Sequence, residues 1–275
     1  MGEPATLSPA RPERLRWLTP PPTLRAPFEA VQGRLERLAA AGAARAVYTA
    51  HRRGVYRASD AELGAVAIKE LRNPSLARQL WFGWLAEHPG AREYRVGVGF
   101  EARGGRTLAH LGAALERTAV GLLRVLVFTR WLEGAVTLTR WLADRPGPPS
   151  PALLASVAAQ VVAAARLGLV HHRHSSNNLL VVSPDGDPLL HTIDFSHATL
   201  DEGLEPGGLA GDVARIARWI LHERLWSRAA VQAFFESVAA EARPEVPDPA
   251  AFVQRMDREL EAVLRDPSAR DPSTD

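Results

Sequence analysis

Asn178 and Asp194 are the two side chains whose types and spacing first point to chemistry. Each sits at the outer end of an apolar, strand-like piece, Asn178 to Val182 and Leu189 to Ile193, and a Ser-Pro-Asp-Gly-Asp stretch joins the pieces as a hairpin turn. Antiparallel pairing sets the amide and the carboxylate side by side, and such oxygen ligands suit a hard divalent cation. The same pattern also fits a structural hairpin with polar ends. A third candidate is Lys69, which closes the apolar run Val66-Ala67-Ile68. A primary ammonium fixed on a strand can hold the α- and β-phosphates of a nucleotide if an acid orients it. A Lys on the polar face of an edge strand leaves the same trace.

Upstream of Asn178 lie His171, His172, Arg173 and His174, and Asp194 opens the triplet Asp194-Phe195-Ser196. His171, Asn178 and this triplet resemble the catalytic loop and metal-binding triplet of the protein-kinase-like superfamily. The short hairpin, the Ser in third place and the lack of a long activation segment most resemble the bacterial lipopolysaccharide core kinases of the Kdo/WaaP family, which phosphorylate Kdo or heptose. In that pattern an Asp two residues after the His takes the proton of the acceptor hydroxyl. Here the position is Arg173, and a guanidinium accepts no proton. His174 offers a neutral imidazole as a substitute base, although a residue in its place also fits a packed His, with His171 and His172 bracing the loop.

The resemblance implies ATP and Mg²⁺ as cofactors. It places Lys69 on the phosphates, paired with Glu93 of the following helix, with Glu87 and Glu101 as alternatives. Gly54 falls in the turn Arg52-Arg53-Gly54-Val55-Tyr56 that would cover the phosphates, a stretch that equally reads as a solvated basic turn. Trp131 and Leu132 fall in the connection that would meet adenine; Asn178 and Asp194 become the metal ligands. Asp212, read from its surroundings as an N-cap or first-turn acid, matches an Asp-x-x-Arg helix that would bring its carboxylate under the backbone of the catalytic-like loop. A zinc hydrolase built on His171, His172, His174 and His191 fits poorly, because adjacent His171 and His172 cannot easily turn to one metal from extended backbone.

The elements that must position these groups follow from periodicity. Phe28 to Ala44 predicts a helix, Val47 to Tyr56 and Leu63 to Leu71 predict short strands, and residues 109 to 130 predict two more. Trp81, Trp84 and Leu85 recur at helical spacing and predict a packed apolar face. A short helix over Thr137 to Asp144, a long one from Pro151 to Leu167, and helices near 212 to 220, 227 to 240 and 249 to 265 make the rest helical. The expected class is α+β, a two-lobed protein-kinase-like fold with a small antiparallel-sheet N-lobe and a mainly helical C-lobe. The expected layout is a flexible tail over 1–27, an N-lobe over 28–133, a C-lobe over 134–265 with the catalytic-like loop at 169–198, and a flexible tail over 266–275.

With 275 residues and 46% apolar content, the chain can bury substantial cores. Its 33 basic and 31 acidic residues predict no nucleic-acid partner. The absence of cysteine excludes disulfides and thiolate metal sites and fits a reducing cytoplasm. No signal-peptide core is visible; Arg11, Arg14 and Arg16 beside Leu15, Trp17 and Leu18 offer a contact with an anionic membrane surface, and the favoured alternative is a mobile tail that docks Trp17 on the domain. The expected function is that of a lipopolysaccharide-kinase-like protein, cytoplasmic or peripheral at the inner membrane. It would transfer phosphate from ATP to a lipid-linked sugar hydroxyl at the inner membrane face, impaired by Arg173. The alternative is a pseudokinase that binds nucleotide or a protein partner.

Overall fold

The chain was analysed as a computed structural model that describes residues 6–42, 44–50, 52–182 and 188–266. It divides into two compact units, one comprising residues up to Val98 with Leu108–Leu132, the other Gly99–Thr107 with the chain from Glu133 onward. Gly99–Thr107 therefore departs from the expected N-lobe span.

In the first unit β1 (Leu15–Trp17), α1 (Pro22–Ala41), β2 (Arg45–Ala50), β3 (Arg53–Asp60), β4 (Gly64–Arg72), α2 (Leu76–Leu80), a π-helical turn (Trp81–Leu85) and α3 (Pro89–Ala102) lead into β5 (His110–Arg117) and β6 (Leu122–Arg130). The six strands form one antiparallel sheet in the order β1-β5-β6-β4-β3-β2. The single strand expected over Val47 to Tyr56 is two strands, β2 and β3. The flexible tail expected over 1–27 is not what its described residues form. Leu7, Ala10 and Leu15 are buried, and β1 pairs with β5. Trp17 donates its indole N–H to Glu36 at 2.8 Å and packs on Phe28 and Phe128. Apolar burial outweighs the disorder that the prolines advertise.

Side-chain alternation along β4 sends Ile68 and Glu70 to one face of the sheet and Lys69 to the other. Glu70 is reached by Arg124 of β6 at 2.5 Å, and Arg124 also holds Glu116 of β5 at 2.6 Å. All three are almost fully buried. Tyr56 adds a hydroxyl to Glu70 at 3.2 Å, and burial and that carboxylate raise the phenol above its ordinary pKa. Gly54 lies inside β3, where the ring of Tyr56 occupies the space that a Cβ would need.

The second unit holds β7 (Val136–Thr137), α4 (Leu138–Ala143), α5 (Pro151–Arg166), β8 (Leu169–Val170), a 3-10 turn (Ser176–Asn178), β9 (Leu179–Val181), β10 (Leu190–Thr192), β11 (Thr199–Leu200), α6 (Pro206–His222), α7 (Arg228–Glu241) and α8 (Pro249–Arg265). Side chains of α5, α6, α7 and α8 build one apolar core. The expected Ser-Pro-Asp-Gly-Asp turn at 183–187 and the expected tail from residue 267 onward lie outside the described residues. Helix α6 starts six residues earlier than Asp212. Glu205 caps it, accepting from the backbone N–H groups of Gly207 and Gly208, and Pro206 occupies the first turn. The glycines there mark close packing rather than a loop, since a Cβ on Gly208 would meet Val170 at 2.9 Å.

The buried Glu70–Arg124–Glu116 triad yields a stability test. Arg124→Met leaves Glu116 buried without its cation and Glu70 with only the partly exposed Arg72 at 2.8 Å, so urea unfolding should show a loss of about 3–5 kcal/mol. Adding Glu70→Gln and Glu116→Gln should recover much of it. A loss below about 1 kcal/mol would mean that the triad is solvated.

Candidate active site

In the first unit, Lys69 donates to Glu93 Oε1 at 2.9 Å and stands 2.8 Å from Oε2. Both side chains are largely buried, at 17% and 8% exposure, so solvent screens the pair weakly. Lys69 comes from the centre of β4, paired with Val55 on one side and Val127 on the other. Glu93 comes from α3. The structure thus selects among the three candidate acids. Glu87 instead binds Arg92 and Arg95 at 3.2 and 3.0 Å. Trp131 donates its backbone N–H to Ala65 O, and the Arg57 guanidinium lies over its ring at 5.6 Å. Leu132 is half-buried beside it.

In the second unit, β9 and β10 pair with Leu179 opposite Thr192, and Ile193 N–H donates to Asn178 O at 2.9 Å. Asn178 and Asp194 therefore meet at one end of the ribbon. Asn178 spends its Nδ2 on Arg173 O at 3.2 Å, which leaves its Oδ1 as the atom suited to a cation. Asp194 has a left-handed backbone, φ 62°, and accepts from Ser196 Oγ at 2.8 Å. The strain of that conformation, on the order of 1–2 kcal/mol for a non-glycine residue, is tolerated where the surrounding structure over-determines it.

The loop preceding Asn178 hangs from Asp212. Its carboxylate accepts from the N–H of His171 at 2.6 Å and of His172 at 3.0 Å. Burial raises this carboxyl above its ordinary pKa, while His171, its N–H and Arg215 pull the other way. Asp212 lies inside α6, not at its start, and the expected N-cap role is corrected. His172 has φ 61°, and its ring meets Thr199 Oγ1 at 3.2 Å. His171 Nε2 lies 3.1 Å from Ile193 O, and since a carbonyl only accepts, Nε2 carries the proton. That tautomer leaves Arg173 O as the partner of Asn178 Nδ2, rather than His171 Nε2 at 3.5 Å.

Arg173 is exposed, and its N–H donates to His171 O at 2.7 Å. His174 turns the other way. It is 3% exposed, stacks on His171 with ring centroids 4.5 Å apart, and its nitrogens meet no partner among the described residues. Burial, helped by His171 and Arg215, holds its imidazole well below the ordinary pKa. A ring so enclosed cannot take a proton from an external hydroxyl, so His174 is better assigned to packing than to catalysis.

One positioning contact left no trace in local sequence. Arg103 donates to Leu167 O at 2.8 Å and Asp201 O at 2.5 Å, bracing the β8–β11 pair from 64 and 98 residues away. Among the described residues no three His, Asp or Glu side chains gather as a metal-binding group. An amide and a carboxylate still suit magnesium, which keeps waters and takes substrate phosphates as its other ligands.

A six-stranded sheet unit bearing the Lys69–Glu93 pair, followed by a helical unit bearing this loop, defines the protein-kinase-like fold. The solved structure of WaaP in complex with acyl carrier protein shares that fold with a TM-score of 0.56 at 20% identity, across 91% of this chain and 100% of that one. No protein-family model matches the chain, and no curated protein is similar to it in sequence. No described helix is long and apolar enough to cross a membrane.

The Asp212 clamp is testable. Asp212→Ala strands the buried N–H of His171 and the part-buried N–H of His172, a buried one costing about 1–3 kcal/mol. Thermal unfolding should fall accordingly, and amide exchange at His171 and His172 should accelerate more than in α7. Unchanged exchange would show that the loop stands without the carboxylate.

Proposed function

We propose that the protein is a lipopolysaccharide-kinase-like nucleotide-binding protein whose phosphotransfer from ATP to a sugar hydroxyl is impaired. The buried Lys69–Glu93 ion pair is the observation that carries the nucleotide reading, because a desolvated strand lysine oriented by a helix acid is poised for phosphate. In this reading Lys69 holds the α- and β-phosphates, Trp131 and Leu132 line the adenine position, and Asn178 Oδ1 and Asp194 hold Mg²⁺. Bound there, Mg²⁺ would neutralise developing phosphate charge. Ser196 orients Asp194, and Asp212 fixes the loop that presents Asn178. Gly54 is not kept as a phosphate-covering glycine, since it lies inside β3 and the Tyr56 ring already accounts for its missing side chain.

The acceptor in this reading is a Kdo or heptose hydroxyl of a lipid-linked core sugar, met by a cytoplasmic protein at the inner membrane face. The second reading, a pseudokinase that serves a protein partner, is favoured by Arg173. It stands exposed at the base position while His174, the candidate substitute base, is buried. The fold-sharing WaaP structure contains acyl carrier protein, which makes a carrier-type protein one partner to try.

Calorimetry should detect ATP binding that requires Mg²⁺. Asp194→Asn should weaken the Mg²⁺-dependent part, and Lys69→Ala should weaken binding overall, both with the fold retained by circular dichroism. No ATP binding at millimolar Mg²⁺ would remove the nucleotide reading.

Turnover separates enzyme from pseudoenzyme. The protein should transfer phosphate slowly or not at all. Arg173→Asp should raise sugar phosphorylation or ATP hydrolysis by about 10²–10⁴, the usual contribution of a general base. Arg173→Ala should gain far less. Fast turnover by the unmodified protein would end the impaired reading.

A further inference from the structure

The segment Leu76–Leu85 breaks the rule that large apolar side chains are packed. Trp81, Trp84 and Leu85 are 52%, 73% and 73% exposed, and Leu76 and Leu80 are 56% and 44% exposed. Helical spacing predicts a packed face here. The π turn defeats it: Ala86 N–H bonds to Trp81 O five residues back, and the widened turn leaves Phe82, not Trp81 or Trp84, against the sheet. Single exposed apolar residues are ordinary, but five within ten residues form a patch.

The charges around the patch are mostly positive. From Leu71 to Ala86 the chain carries Arg72 and Arg78 and no acid. Arg78 is exposed, with its guanidinium 5.7 Å from the Phe82 ring. Arg117 donates to Gly83 O at 3.2 Å. Arg16 is paired in register with Leu115, so both side chains leave the sheet on one face, and Leu115 packs in the same small cluster as Phe82. Glu87, the acid bordering this surface, is engaged by Arg92 and Arg95, a group with one net positive charge.

We propose that Leu76–Leu85, rimmed by Arg16, Arg78 and Arg117, is the surface by which the protein docks onto an anionic lipid bilayer. Trp and Leu enter the acyl boundary, and the guanidiniums stay with the headgroup phosphates. The bilayer is favoured as occupant because the rim is net cationic, its one acid Glu87 being outnumbered by Arg92 and Arg95, and a diffuse anionic surface answers it without a matching shape. A notch of about 390 Å³ lies beneath, lined by Phe82, Leu85, His88 and Leu115 with Glu87 and Arg117 as its charged members. Burial, with Arg78 nearby, holds His88 at a pKa of about 4, so it is neutral near pH 7. The N-terminal arginines expected at a membrane thus contribute through Arg16, whereas their neighbours Leu15 and Trp17 are engaged in the sheet unit and the apolar contact comes from elsewhere.

Docking requires neither nucleotide nor phosphotransfer, so its failure is separable from that of the kinase-like reading. Flotation of the full chain without ATP, on mixed phosphatidylglycerol–phosphatidylcholine vesicles and on phosphatidylcholine alone, reads it directly. The protein should float with the anionic vesicles and bind the neutral ones at least about tenfold less. Trp84→Ser/Leu85→Ser and, independently, Leu76→Ser/Leu80→Ser should each reduce binding about tenfold with unchanged thermal unfolding, as their exposure allows. Arg16→Ala/Arg78→Ala should narrow the difference between the two vesicle types. No flotation, or equal flotation of the unmodified protein and both serine variants, overturns the proposal. So does light scattering that finds a dimer dissociated by the serine substitutions, which would make the patch a contact between copies of the chain.

Discussion

The loop at the candidate site depends on one buried carboxylate. Asp212 accepts two consecutive backbone N–H groups, from His171 and His172, and thereby holds His172 in a left-handed conformation that a non-glycine residue adopts only under constraint. A carboxylate with so little exposure is costly in isolation. Each charge-assisted bond to it is worth roughly 1.5–3 kcal/mol, and the positive end of α6 is too distant from its seventh residue to share the work. The two N–H groups, with the Arg215 guanidinium 3.6 Å away, therefore supply the compensation. Everything downstream inherits the geometry: the proton on His171 Nε2 directed at Ile193 O, the outward turn at Arg173, and Asn178 closing back on Arg173 O.

What the sequence made legible was whatever local pattern encodes. Alternation placed Lys69 on the face of β4 opposite Glu70, and the hairpin rule brought Asn178 and Asp194 to one end of a ribbon, because a one-residue slip would have turned every side chain over. Choosing Glu93 over Glu87 and Glu101 needed the register of α3 against the sheet, which no local pattern carries. Arg103 and Asp212 act across 98 and 41 residues. Contacts at such separation are decided by packing, and only for Asp212 did the spacing to Arg215 leave a sign.

The failures have the same cause seen from the other side. Prolines in residues 6–27 and glycines at 207, 208 and 211 read as breaks when each residue is weighed alone. In the fold, Leu7 and Leu15 supply burial that local propensity ignores, and Gly208 lets α6 approach Val170. At Trp81–Leu85 a fixed period of 3.6 residues was the wrong template, since one π turn shifts every later side chain by about a sixth to a quarter of a revolution.

Arg173 shows that architecture and chemistry are separable in this loop. Its side chain is exposed, and the loop uses its backbone alone: the N–H to His171 O and the carbonyl to Asn178 Nδ2. Neither bond depends on the side chain. The residue type at position 173 therefore costs the loop no hydrogen bond among the described residues. Asn178 differs, because its side-chain amide nitrogen is itself part of the loop's bonding, through Arg173 O. Lys69, Asn178 and Asp194 are each tied to a neighbour by a specific side-chain polar contact. Among the described residues the Arg173 side chain takes no such part in the loop.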